Sequence, residues 1–156
     1  MSHCVKVPLA VGTDPVHSRR PSFVDQGYWF SAGGEAYLCR WPNDRGEIIV
    51  TAKRLIPQGV YTVWFNTVGG VHPAAPTNIE WPADGFDPNR AIVDKNGNLY
   101  YYIAHLNYDP FMGYPAGTER HAVTQVILAY HTDGTTHGQQ LGPHTFHLVG
   151  AVPKMG

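Results

Sequence analysis

Apolar and polar positions alternate in short runs along most of this chain, and nearly every run is closed by Gly, Pro, Asn or Asp. Residues 4–11 open the pattern. Val5, Val7, Leu9 and Val11 fall on one side and Lys6, Pro8 and Ala10 on the other, the period-two signature of a strand with one apolar face. Pro8 has no N–H to give to a ladder, so this strand is expected at an edge or in unusual pairing. A polar, proline-flanked stretch from Gly12 to Pro21 follows and reads as a linker. The first 20 residues are thus expected to form an extended arm, and residues 21–156 the body.

In the body, Tyr28–Phe30 and Ala36–Trp41 flank Gly33-Gly34, which reads as a hairpin turn. Residues 47–55 follow the Asn43–Gly46 turn, with Ile48, Val50 and Ala52 facing inward. Ile56-Pro-Gln-Gly59 is a turn leading into Val60–Thr67, whose two faces are both apolar or aromatic, as in a strand buried on both sides. Residues 69–90 and 107–120 show little periodicity and read as loops. Asp94–Asn98, centred on Asn-Gly, joins Ala91–Val93 to Leu99–Leu106 as a hairpin turn. Ala122–His131 and His144–Val152 are the last two strands. No segment carries a capped helical pattern. Eight to ten short strands with turns between them make this an all-β chain, an antiparallel sandwich.

Composition narrows the function classes. Charged residues are 15% of the chain, well under the roughly 25% of an average soluble domain, and lysine occurs only at 6, 53, 95 and 154. With a net charge of −1, there is no basic stripe to attract nucleic acid or anionic membrane. No apolar run reaches the roughly 20 residues of a membrane helix. The opening segment is too short in apolar residues for a signal peptide, so the chain is expected either to be cytosolic or to be a mature form. Cys4 and Cys39 are the two cysteines. A disulfide between them would add about 3–4 kcal/mol. Unpaired, they read as small buried hydrophobes, and the sequence leaves both readings open.

Leu55-Ile-Pro-Gln-Gly-Val-Tyr-Thr-Val-Trp-Phe65 and Leu128-Ala-Tyr-His-Thr-Asp-Gly-Thr-Thr-His-Gly138 together resemble a group of largely uncharacterised, mostly secreted bacterial and archaeal β-sandwich domains. The resemblance spans roughly residues 33–152 and is specific at these two motifs. It implies an immunoglobulin-like sandwich outside the cytoplasm and brings no catalytic residues with it.

Four histidines, 131, 137, 144 and 147, crowd the C-terminal stretch. His144 and His147 are three apart, so on a regular strand they point to opposite faces and cannot share an ion without a bulge. His131, His137 and His144 sit at one end of two adjacent strands and the loop between them. Three neutral imidazoles there suit Cu or Zn, with Asp133 as a fourth ligand or an orienting partner. The competing reading is an Asp133-Gly134 turn dressed by imidazoles that bond to backbone. His121, about ten residues upstream at ~3.3 Å per residue, belongs at the opposite end.

The chain has no metalloprotease helix motif, nucleophile elbow or phosphate-binding loop. Asp94, Asn96 and Asn98 alternate as in a calcium loop but lack the bidentate Glu. Tyr100, Tyr101, Tyr102, Tyr108, Phe111 and Tyr114, with Trp29, Trp41, Trp64 and Trp81, offer material for a glycan or peptide groove, although half of any strand's aromatics must pack inward.

Low charge, no catalytic motif and a detachable apolar strand favour a non-enzymatic extracellular module for interaction or assembly. In that reading Val5, Val7, Leu9 and Val11 form an assembly strand added to a neighbour's sheet, giving a homo-oligomer or fibre. The alternatives are a small Cu- or Zn-binding protein or enzyme built on the 131–144 loop, and a carbohydrate-binding module.

Overall fold

The computed structural model describes residues 3–76 and 87–154. Trp81 lies outside the described residues. The chain is all-β and sandwich-like, with eleven strands and one short helix among the described residues. The strands are β1 (His3–Val11), β2 (Gly33–Trp41), β3 (Arg45–Lys53), β4 (Val60–Thr67), β5 (Gly70–Pro73), β6 (Arg90–Ile92), β7 (Leu99–Leu106), β8 (Tyr114–Ala116), β9 (Glu119–His121), β10 (Val123–Tyr130) and β11 (Thr145–Ala151), and the helix is α1 (Gln26–Phe30).

One antiparallel sheet runs β5-β4-β10-β11-β1-β2-β3-β7, with β6 also on β4, while β8 and β9 pair separately. The large sheet doubles back on itself at the junction of β11 and β1, where only Ala10 and Val11 are in register with β11. Its two halves therefore face each other. Val7, Ala36, Leu38, Ile48 and Val50 from one half meet Tyr61, Val63, Phe65, Val126, Leu128 and Leu148 from the other in a single core. Ile48, Val50 and Ala52 are buried as the alternation demands, and β4 is buried on nearly every residue. Its second face is covered by a smaller apolar cluster of Trp64, Ile127, Ala129 and Phe146.

β1 is not a free arm. Eight consecutive register pairs join it to β2, from His3↔Arg40 to Ala10↔Gly33, and Cys4 is disulfide-bonded to Cys39 directly across that ladder. Val7 and Leu9 are buried. The expectation raised by Pro8 is met on one side only, because pairing to β11 stops at Ala10, two residues short of the proline that has no proton to donate. The stretch read as a linker is docked as well: Phe146 N–H donates to His17 O at 2.7 Å and Thr145 Oγ1–H to Arg19 O at 2.7 Å.

Several local readings change. Tyr28–Phe30 is helix, not strand; Asp25 caps it by accepting from Tyr28 N–H. The five-residue helix exists to deliver Trp29 into the core. Gly33-Gly34 lies inside β2 rather than in a turn, and a Cβ on Gly34 would come within 2.3 Å of Thr51 O, so β3 lies against bare backbone there. The Asp94–Asn98 turn forms, with Asp94 Oδ1 accepting from the N–H of both Asn96 and Asn98. It joins strands that diverge, since β6 pairs β4 and β7 pairs β3. The stretches read as loops carry β5 and the β8–β9 hairpin. That hairpin is tied down by Arg120, which donates to both carboxylate oxygens of Asp44 and to the backbone oxygens of Gly113 and Asp109.

At the Ile56–Gly59 turn, Gly59 N–H donates to Ile56 O, and Gln58 holds φ 59° at the position that favours glycine. Left-handed backbone costs a non-glycine residue about 1–2 kcal/mol, against about 0.5–1 kcal/mol of glycine chain entropy. Gln58→Gly is therefore expected to raise stability by about 0.5–1 kcal/mol, read as a higher urea midpoint at unchanged slope.

Candidate metal centre

β10 runs out of the sheet at Tyr130 and its last outward position falls on His131, one step beyond Ile127 and Ala129 on the same face. A tight turn follows, with Gly134 N–H donating to His131 O and Gly134 at φ 76°. This turn brings Asp133 back over the strand end. The loop then returns His137 to the same point, where it is held from two sides. Gly138 N–H donates to buried Asp87, and Gly142, at φ 63°, lies flat against the imidazole, where a Cβ would come within 2.1 Å of His137 Cδ2. Glycine is required at 142 both for its backbone angle and for this approach.

His131, Asp133 and His137 each present a ligand atom such that all three lie within 4.8 Å of one another. His137 Nε2 is 2.7 Å from Asp133 Oδ2. Both histidines are almost completely buried, while the Asp133 side chain remains about one-third exposed and opens the group to solvent. For bonds of about 2.0–2.1 Å, tetrahedral ligands stand roughly 3.4 Å apart. His137 Nε2 and Asp133 Oδ2 must part by less than an ångström to reach that spacing, and separations toward 4.8 Å must close by a comparable side-chain shift.

The surroundings of His131 suit a ligand. Its Nε2 is 2.6 Å from Thr62 Oγ1, and Trp64 Nε1–H donates to the same oxygen. A hydroxyl oxygen can accept both N–H groups. In that arrangement Nε2 carries the His131 proton and Nδ1 keeps a bare lone pair. Nδ1 is buried and has no hydrogen-bond partner among the described residues. Burial foremost, with His137 beside it, lowers the His131 pKa to about 4 and keeps the ring neutral near pH 7. A neutral imidazole whose second nitrogen is fixed by an outer partner is the arrangement metal-binding histidines use.

The structure thus groups His131 and His137 with Asp133, and His144 stands outside the group. His144 Nδ1–H donates to Gly142 O at 2.6 Å, and its ring packs on Phe146. It lines a hollow of about 490 Å³ that it shares with Asp14, His17, Asn66 and Gln125. A bulge lies in the β10–β11 pairing, where Leu128↔Leu148 is followed by Ala129↔Phe146 and His147 is the extra residue. The bulge does not bring His147 to His144. It sends His147 into the core, stacked on Trp29 with ring centres 3.5 Å apart.

There a buried chain runs from Ile56 N–H to the phenolic oxygen of Tyr61, from Tyr61 O–H to His147 Nδ1, and from His147 Nε2–H to the backbone oxygen of Trp29. His147 is a satisfied structural histidine, a role its spacing alone did not reveal. His121 lies apart at the end of β9, just ahead of β10, with its ring against His72 and its Nε2 near Glu119.

Of the aromatics, Trp29, Trp64, Tyr108 and Tyr114 are core, whereas Tyr100, Tyr102 and Trp41 are exposed. Among the described residues no helix is long and apolar enough to cross a membrane. No family model matches the chain, and no curated protein matches it.

Proposed function

We propose that this chain is a metal-binding β-sandwich module that holds one Zn(II) or Cu(II) ion through His131, His137 and Asp133. The observation that supports this reading is the convergence of three ligand atoms, one on a buried neutral histidine that is otherwise unpartnered at Nδ1. Two imidazoles and a carboxylate are a borderline-hard donor set. It prefers Cu(II) over Zn(II) in raw affinity and leaves a fourth position on the solvent side for water or an external ligand. The Cys4–Cys39 disulfide supports placing the module in an oxidising compartment outside the cytosol. Assembly through residues 4–11 would require β1 to leave a slot closed by eight register pairs and a disulfide. Metal binding requires no such rearrangement.

Titration calorimetry of metal-stripped protein with Zn(II) and with Cu(II) tests the reading. One equivalent is expected to bind to the wild type. His137→Ala, with its fold checked by circular dichroism, is expected to weaken binding at least about 100-fold, and His144→Ala to leave it within a few-fold. Wild-type protein that takes up neither ion, or equal losses in both variants, would remove the assignment.

A further inference from the structure

The outer face of the β1–β2–β3–β7 layer mixes exposed tyrosines with charged and polar side chains. Register places side chains on it in rows that cross all four strands. One row is Lys6, Tyr37, Ile49 and Tyr102, and the next is Pro8, Glu35, Thr51 and Tyr100. The inner rows, such as Val7, Ala36, Val50 and Tyr101, go to the core. Tyr100 is 72% exposed and Tyr102 48%. Polar contacts order the face around them: Tyr102 O–H donates to Glu47 at 2.7 Å, Tyr37 O–H to Glu35 at 3.1 Å, and Lys6 Nζ lies 3.0 Å from Glu35.

Beside Tyr100 the face sinks into a shallow depression of about 530 Å³ lined by Gly33, Gly34, Glu35, Thr51, Lys53 and Asn98. Glu35 and Thr51 belong both to the Tyr100 row and to the depression, so the two form one continuous surface.

We infer that this face binds a neutral glycan, an extended chain of β-linked pyranoses lying across the strands. The reasoning is chemical. A pyranose has a flat C–H face that stacks on an aromatic ring and a rim of hydroxyls that donate and accept. The face offers rings for the first, and carboxylates, a threonine hydroxyl, an amide and an ammonium for the second. Tyr37 and Tyr102 are two strands apart, roughly 9.6 Å, close to the length of two pyranoses in an extended chain. Tyr100 and Tyr102, two residues apart on β7, add a second ring roughly 6.6 Å along the strand.

Lys6 and Lys53 balance Glu35 and Glu47, which argues against a polyanion. Between the rings the only aliphatic side chain in these rows besides Pro8 is Ile49, too little for the apolar centre of a stable protein interface. The inference does not depend on the metal centre, which lies on the other layer.

Affinity electrophoresis of the full chain through gels containing soluble β-glucan, glycol chitin or β-mannan provides the test, followed by calorimetry with the matching hexasaccharide. At least one polymer is expected to retard the wild type. Tyr100→Ala and Tyr102→Ala are expected to weaken binding about tenfold each, in line with the loss of one ring contact of about 1.4 kcal/mol. Gly33→Gln should fill the depression and also weaken binding. It keeps the fold, because a Cβ there meets nothing nearer than Leu9 O at 3.9 Å. His137→Ala should bind glycan as the wild type does. No retardation by any polymer, or retardation indifferent to both tyrosines, would overturn the inference. So would sedimentation showing that the tyrosine substitutions instead abolish self-association.

Discussion

Acidification from pH 7 to pH 4 is expected to cost the fold about 3 kcal/mol through His147 alone. Burial lowers the His147 pKa from the ordinary 6.5 to about 4, opposed by its hydrogen bond to Trp29 O. The imidazole is neutral in the folded chain, where it accepts from Tyr61 O–H on one nitrogen and donates from the other. The unfolded chain takes up a proton below about pH 6.5, and the folded chain resists it until about pH 4. Between those values the unfolded state binds more protons, so stability falls as pH falls. It is fully present above 6.5, and the loss levels off below 4. A separation of about 2.5 pH units at about 1.36 kcal/mol per unit gives a full loss of about 3.4 kcal/mol, of which about 3 is reached at pH 4, where the folded group is half titrated.

Protonation would also turn Nδ1 from an acceptor into a donor facing Tyr61 O–H, whose own proton would have to turn away. Urea unfolding at half-unit intervals from pH 7 to 4 measures the effect. His147→Gln removes the titrating group while keeping a polar side chain, and its stability should depend on pH less steeply by about one proton over this window. Equal slopes for the two proteins would show that His147 is not the group responsible.

The parts of the fold that could be read in advance are those where one residue type answers one physical demand. Strict alternation placed Ile48, Val50 and Ala52 inward, and the doubly apolar run 60–67 became the strand buried on both faces. Asp94 with Asn-Gly specified a turn, but a turn's chemistry is local. It does not say whether the strands it joins pair with each other, and here β6 and β7 separate to β4 and β3. α1 was missed because Tyr28, Trp29 and Phe30 favour strands, and one helical turn offers too few residues for a period. The Asp25 cap was its only signal.

In the candidate site, spacing located His131 and His137 but favoured His144 over Asp133. The deciding factors were the positive φ of Gly134, which folds Asp133 back, and the fit of Gly142 against His137. Spacing also could not tell that His147 would be the bulged residue. A bulge is settled by what the core accepts opposite Trp29 and Tyr61, and that information lies more than 80 residues away. β1 shows the same limit from the other side. An amphipathic strand next to a polar stretch reads identically whether it pairs at home or with a neighbour.

Removing the disulfide should be the most destabilising covalent change available to this chain. Cys4 and Cys39 are 35 residues apart, so the bond denies the unfolded chain the freedom of that loop. The chain-entropy relation gives about 4 kcal/mol for a loop of this size. For a domain of this length each kcal/mol moves the melting temperature by about 2–4 °C. The double variant Cys4→Ala/Cys39→Ala is thus expected to melt about 8–16 °C below the wild type, and reduction of the wild type should reproduce most of that shift. Alanine is the better replacement because Cys39 is buried, where a serine hydroxyl would need a partner.

The released end also has structural meaning. Without the bond, the ladder to β2 is the only strand pairing along His3–Pro8, since β11 pairs only with Ala10 and Val11, and Val7 alone of these residues is buried in the core. β1 should then be the first strand to open. Light scattering recorded alongside the melts decides whether an opened β1 returns to β2 or pairs with another copy. A monomeric reduced protein identifies the bond as a clamp on a cis strand, and growth of large particles only after reduction identifies it as a latch on an assembly strand.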